Sequence, residues 1–180
     1  MRYHNITNAD MLNGEGLRVV LWTSGWSHHC QACQNAITWN KDDGLVFDED
    51  AKNEIFSELE KDWCSGLTLS GGDPLMIFNR SEIAKLVSEV KKKYPDKTIW
   101  CYTGYTWEEL LEQKGNDKDL SIILDNVDVI LDGKFVLRLA LEKLQYVGSS
   151  NQCIIDVKKS ILENKKILYI DNSDILEGEV

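Results

Sequence analysis

Leu17-Arg18-Val19-Val20-Leu21-Trp22-Thr23 runs into Ser24-Gly25, and Leu67-Thr68-Leu69-Ser70 runs into Gly71-Gly72-Asp73-Pro74. Both are short runs carrying β-branched residues that stop at glycine, which reads as two buried strands. Between them, Asp48 to Lys61 sets Ile55, Phe56 and Leu59 on one helical face behind a start rich in acids. Arg80 to Lys93 repeats the helical spacing with Ile83, Leu86, Val87 and Val90. Thr98 to Thr103 is a third strand, ended by Gly104. Thr106 to Gln113 opens with the capping-box pattern Thr106-x-x-Glu109. Val127 to Leu131 is a fourth strand, ending at Asp132-Gly133. Strands alternating with helices at this spacing predict βαβ units and an α/β fold with a mainly parallel sheet. Ligands of such sheets sit beyond the carboxyl ends of the strands. The loops after Thr23, Ser70, Thr103 and Leu131 are therefore where function is expected. From Gln152 to Ile170, two apolar stretches flank Glu163-Asn164-Lys165-Lys166 and predict a hairpin.

The chain has 180 residues, 43% hydrophobic and 28% charged, which suits one globular domain over residues 1–170. Asp171 to Val180 carries four acids and no base and reads as an acidic tail. Thirty acids against twenty bases give a formal charge of −10. That balance argues against a duplex nucleic-acid binder, which needs Lys and Arg against phosphate, and against an anionic membrane surface. The opening Met1-Arg2-Tyr3-His4-Asn5 lacks the apolar core of a secretory signal. Runs such as Val129-Ile130-Leu131 fall far short of the ~20 residues of a membrane span. Five cysteines, at 30, 33, 64, 101 and 153, are an odd count in a chain without an export signal. The expectation is a cytoplasmic protein with reduced thiols or metal ligands.

The loop after the first strand, Ser24 to Asn35, holds Cys30-x-x-Cys33 with His28 and His29 beside it. Two thiolates at this spacing can face one metal, and alone they fit zinc, a redox dithiol or part of an iron–sulfur site. Gly71 and Gly72 at the next strand end let the backbone approach a ligand closely, although a plain turn explains them as well. Strand alternation puts Trp100 and Tyr102 on one face and Cys101 and Thr103 on the other. Cys64, Cys101 and Cys153 read as structural thiols. Arg18 reads as a partner for an acid or for a ligand carboxylate, and Lys91-Lys92-Lys93 as a solvated helix end.

Taken in order, Asn13-Gly14-Glu15-Gly16-Leu17-Arg18, the Ser24 to Asn35 loop, Leu69 to Leu75, Thr103-Gly104-Tyr105, Asp132-Gly133-Lys134-Phe135 and Gly148-Ser149-Ser150-Asn151-Gln152 form a set. The set resembles the activating proteins of anaerobic (class III) ribonucleoside-triphosphate reductases, members of the radical S-adenosylmethionine superfamily. The resemblance runs from about residue 1 to about residue 155. It implies a partial, open β/α barrel. It implies a [4Fe–4S] cluster held by a Cys-x-x-x-Cys-x-x-Cys loop, whose open iron chelates S-adenosylmethionine. One electron then cleaves the sulfonium, and the 5′-deoxyadenosyl radical takes a hydrogen from a glycine of the reductase. By the same resemblance Cys30 and Cys33 are cluster ligands. Ser70, Gly71, Gly72 and Asp73 hold the methionine amino group, and Thr103, Gly104 and Tyr105 line the cofactor pocket. The implied partners are the large reductase, docked near Gly148 to Gln152, and an external electron donor such as a flavodoxin.

Two positions depart from that pattern. The first cysteine of the loop falls at Trp26, and indole nitrogen is a donor with no lone pair for iron. A chain that assembles its cluster poorly is the expectation, unless His28 or His29 supplies the third ligand. The competing reading is a zinc-binding docking module built on His28, His29, Cys30 and Cys33. The second departure is Val147, where the resemblance implies a basic residue before Gly148.

Overall fold

The computed structural model describes residues 1–26 and 36–173. Cys30, Cys33, His28, His29 and the end of the acidic tail lie outside the described residues.

The chain runs β1 (Arg2–Asp10), β2 (Leu17–Thr23), β3 (Leu45–Val46), α1 (Glu49–Leu59), β4 (Cys64–Gly71), α2 (Ile77–Lys93), β5 (Thr98–Tyr102), α3 (Trp107–Lys114), α4 (Lys118–Asn126), β6 (Val129–Asp132), β7 (Cys153–Asp156), α5 (Val157–Leu162) and β8 (Leu168–Ile170). The eight strands form one sheet in the order β3-β1-β2-β4-β5-β6-β7-β8. Its centre, β2-β4-β5-β6, is parallel, as the βαβ pattern requires. Two antiparallel strands flank it on each side, so the sheet is mixed.

Local chemistry sets the helix starts. Asp48 caps α1 through Ala51, and Thr106 and Glu109 form the reciprocal capping box that their spacing predicts. Helix α2 begins three residues before Arg80, and β4 reaches back to Cys64, a wider span than the apolar runs mark. The predicted C-terminal hairpin is corrected. β7 and β8 do pair antiparallel, but α5 lies between them, opened by Asp156 capping onto Lys159. Lys91 is also not a solvated cation: it pairs with Asp128 at 2.7 Å and donates to the Lys97 carbonyl.

The two faces of the sheet bury different things. On one, Val19, Leu21, Leu67, Leu69, Ile99 and Cys101 pack under the helices, against Ile55, Leu59, Ile83 and Val87 among others. Burial there pushes the Cys101 thiol well above its usual range, so it is an inert core group. On the other, Trp100 gathers Val129, Leu131, Leu144, Val147 and Ile154. Val147 thus serves as a core residue where a cation is expected. Tyr146 and Tyr169 meet the Trp100 ring edge-on at 5.2 and 5.4 Å.

Arg18 also lies against Trp100, 5.4 Å from the ring centre, and is completely buried. It pairs with no carboxylate. Nε donates to the Thr68 hydroxyl, Nη1 to the Glu15 carbonyl and the Thr98 hydroxyl, and Nη2 to the carbonyls of Leu67 and Thr98. All five N–H groups are used, which leaves none for a ligand carboxylate. Burial lowers its pKa to about 10, still charged at neutral pH.

Trp100→Ala removes a ring that is 1% exposed, and is expected to cost about 3–5 kcal/mol in urea unfolding. Met11→Ala, at a side chain 70% exposed, is expected to change stability by less than about 0.5 kcal/mol in the same assay.

Candidate functional site

The loops after β2, β4, β5 and β6 all leave the same end of the parallel strands, and hydrogen bonds join them in series. The pairing of β2 with β4 ends at Thr23 opposite Gly71. Beyond it the two chains stay together. Gly72 N donates to the Thr23 carbonyl at 2.7 Å and Asp73 N to the Gly25 carbonyl at 2.8 Å. The carbonyl between, that of Ser24, accepts from Asn79 Nδ2 at 3.0 Å. On its other side the same stretch is held by N–H groups: Ser24 to Arg2, Gly25 to Thr38 and Trp26 to Trp39, at 2.7 to 3.0 Å. Residues 23–25 therefore form a ribbon tied along both edges, and position 26 is held at its N–H.

This explains the glycines better than ligand approach alone. A Cβ on Gly72 would come 2.4 Å from the Gly25 carbonyl oxygen, and one on Gly25 would come 2.4 Å from the Phe78 ring. Their missing side chains make room for the neighbouring loop and for α2.

Asp73 carries the join onward. Its side chain is fully buried. Oδ1 accepts from Leu75 N at 2.8 Å, and Oδ2 accepts from the Thr103 hydroxyl and Gly104 N, each at 3.0 Å. Burial raises its pKa to about 6, against the opposing pull of these donors. The carboxylate is thus a bolt between the β4 and β5 loops, with three donors of its own. Ser70 is 7% exposed, and its carbonyl accepts from the Thr23 hydroxyl. Thr103 and Gly104 meet Asp73, whereas the Tyr105 ring lies 5.5 Å from the Arg80 guanidinium and packs toward the helix-side core.

The β6 loop joins in turn. Thr103 N donates to the Leu131 carbonyl and Gly133 N to the Tyr105 carbonyl. Asp132 accepts from Trp107 N, at the start of α3, and from Cys153 N. The Gly148 to Gln152 motif folds back on the same end: Gln152 accepts from the amides of Gly148 and Ser149 and donates to the Gly133 carbonyl.

The donor set for a cluster can be weighed against this frame. Trp26 offers no lone pair. Cys101 lies in the helix-side core, and Cys64 starts β4, at the end opposite Gly71. Cys153 is on β7, four strands from β2, or roughly 19 Å at the usual strand spacing. Cys30 and Cys33 are the two thiols of the β2 loop itself. Among the described residues no group of three or more His, Cys, Asp or Glu is placed to hold a metal.

The model of a 4Fe-4S single cluster domain matches residues 12–155, which places the chain among iron–sulfur proteins. The chain is 43% identical over 152 residues to the anaerobic ribonucleoside-triphosphate reductase-activating protein of Enterobacteria phage T4, covering 84% of this chain and 92% of that one. It is 39% identical to the protein of that name from Haemophilus influenzae and 37% to that from Escherichia coli K12, each over 156 residues, 86% of this chain and 97% of the relative. The chain belongs to the family of anaerobic ribonucleoside-triphosphate reductase-activating proteins.

A pH dependence follows from Asp73. Its folded pKa of about 6 lies above the ordinary value of 3.8, so the folded state holds its proton more tightly than the unfolded state does. This contribution to stability is full below about pH 4 and is lost as pH rises to about 6, a decline on the order of 2 kcal/mol. Urea unfolding across that range is expected to show the decline, and Asp73→Asn is expected to flatten it.

Proposed function

We propose that this chain installs the glycyl radical of an anaerobic ribonucleoside-triphosphate reductase, by reductive cleavage of S-adenosylmethionine at a [4Fe–4S] cluster. The observation that carries this is the family membership along nearly the whole chain, laid on loops that are bolted together at one end of the sheet. When bound, the cluster and S-adenosylmethionine supply the electron transfer and the carbon radical. The chain's own task is placement. Cys30 and Cys33 hold iron. The Ser70 to Asp73 backbone receives the methionine amino group, while the Asp73 carboxylate keeps that backbone against Thr103 and Gly104. The sheet is read as curving into a partial, open barrel around the bound cofactor.

The reductase is the partner because its glycine must come within a few ångströms of the radical, and the Gly148 to Gln152 loop at the same sheet end is the docking point. An external one-electron donor such as a flavodoxin completes the reaction. No described helix is long and apolar enough to cross a membrane.

Trp26 is the one position that opposes this chemistry. Its N–H is held by the Trp39 carbonyl, and a large indole stands where a thiolate is needed. Histidine in place of the third thiolate would raise the cluster potential and weaken the drive for sulfonium cleavage. The chain as it stands is expected to fold, to take up little iron and sulfide on anaerobic reconstitution, and to form little 5′-deoxyadenosine with a strong reductant. Trp26→Cys is expected to restore both. Equal turnover by the two forms would point to an alternative third ligand, with His28 and His29 the positions to substitute. Stoichiometric zinc without sulfide would support the docking-module reading instead.

A further inference from the structure

We propose that Asn79 is a positioning residue for the cofactor: it ties the chain at Ser24, ahead of Cys30 and Cys33 in sequence, to the loop that receives the methionine amino group, without touching either cofactor. The inference rests on the function proposed above. Asn79 stands in the first turn of α2 and is 1% exposed. Its Nδ2 donates to two carbonyls, Ser24 and Asp73, each at 3.0 Å. One belongs to the ribbon two residues before position 26, the other to the strand-end loop. Its Oδ1 is buried and has no hydrogen-bond partner among the described residues.

An unpaired buried acceptor costs roughly 1–3 kcal/mol. Leucine, of almost the same shape, would avoid that cost but would take from the Ser24 carbonyl its Asn79 donor and leave the Asp73 carbonyl with Met76 N alone. What asparagine brings is a pair of donors between two loops. The backbone bonds on either side, Gly72 to Thr23 and Asp73 to Gly25, do not reach the Ser24 carbonyl. Asn79 is thus the side-chain tie at Ser24, in a seam whose other bonds are backbone and the Thr23 hydroxyl to the Ser70 carbonyl. Asp73, whose own carbonyl Asn79 holds, passes the constraint on to Thr103 and Gly104. Side chains that orient ligand-bearing groups in this way typically change ligand affinity by roughly 10–100-fold when removed.

The test is Asn79→Leu, made in the chain as it stands and in the Trp26→Cys form. Three quantities are measured under anaerobic conditions: the thermal midpoint, the iron and sulfide content after reconstitution, and the S-adenosylmethionine dissociation constant. The change in the electron paramagnetic resonance signal of the reduced cluster on adding S-adenosylmethionine is followed alongside. In the Trp26→Cys background, Asn79→Leu is expected to retain iron and sulfide, to bind S-adenosylmethionine at least about tenfold more weakly, and to need correspondingly more of it for the spectral change. If Asn79→Leu does not fold, Asn79→Ala, which leaves room for a water to bridge the two carbonyls, takes its place. A lower thermal midpoint with unchanged affinity and an unchanged spectral response would overturn the inference, since it would mean that Asn79 merely packs. Absence of iron and sulfide from every form, Trp26→Cys included, would overturn the functional reading and this inference with it.

Discussion

Three consecutive carbonyls, those of Thr23, Ser24 and Gly25, are held by donors from one neighbouring unit: Gly72 N, Asn79 Nδ2 and Asp73 N. The other features of the site depend on this seam. It prolongs the β2–β4 pairing past the last strand residue, and it requires glycine at 72, where a Cβ would meet the Gly25 backbone, while glycine at 25 makes room for the Phe78 ring. It also holds Asp73 where its carboxylate collects Thr103 and Gly104. Parallel strands alone would bring these loops to one edge; the seam ties residues 23–25 to the loop after β4. For chemistry in which two cofactors must meet within bonding distance, rigidity at that edge is worth more than extra contacts elsewhere.

The same rigidity makes Trp26 consequential. In a mobile loop a bulky residue could swing away and let another donor approach. Here Trp26 N is bonded to the Trp39 carbonyl at 3.0 Å, and the residue before it is bonded on both sides. The remaining described thiols are held in a core, at the far sheet end, or four strands away.

The parallel centre was legible in the sequence because its strands are short apolar runs stopped by glycine and its helices keep their spacing. β1 was missed. Its pairing with β2 shifts register between Tyr3 and Asn5 and again between Thr7 and Asp10, and such bulges break the alternation that marks a strand. α4 was missed although Leu120, Ile123 and Leu124 sit at helical spacing, because the short stretch follows a polar linker. The barrel form came from the resemblance, and the sheet itself shows a mixed eight-stranded order. At the site, the glycine and aspartate motifs could be read, but what they do could not. Asp73 looked like a ligand group and proves to be bonded to the neighbouring loop, and Arg18 looked ready for a carboxylate and has no donor left. Asn79 gave no signal, since a polar residue at the start of a helix ordinarily faces water.

The central claim is that this scaffold delivers a radical to a glycine of a partner reductase, with Trp26 as its one chemical defect. The direct measurement is electron paramagnetic resonance of the anaerobic reductase after incubation with S-adenosylmethionine, a reductant and this protein. The account predicts a carbon-centred radical signal on the reductase with the Trp26→Cys form and little or none with the chain as it stands. A Trp26→Cys form that holds its cluster and cleaves S-adenosylmethionine, yet leaves the reductase without that signal, would contradict it.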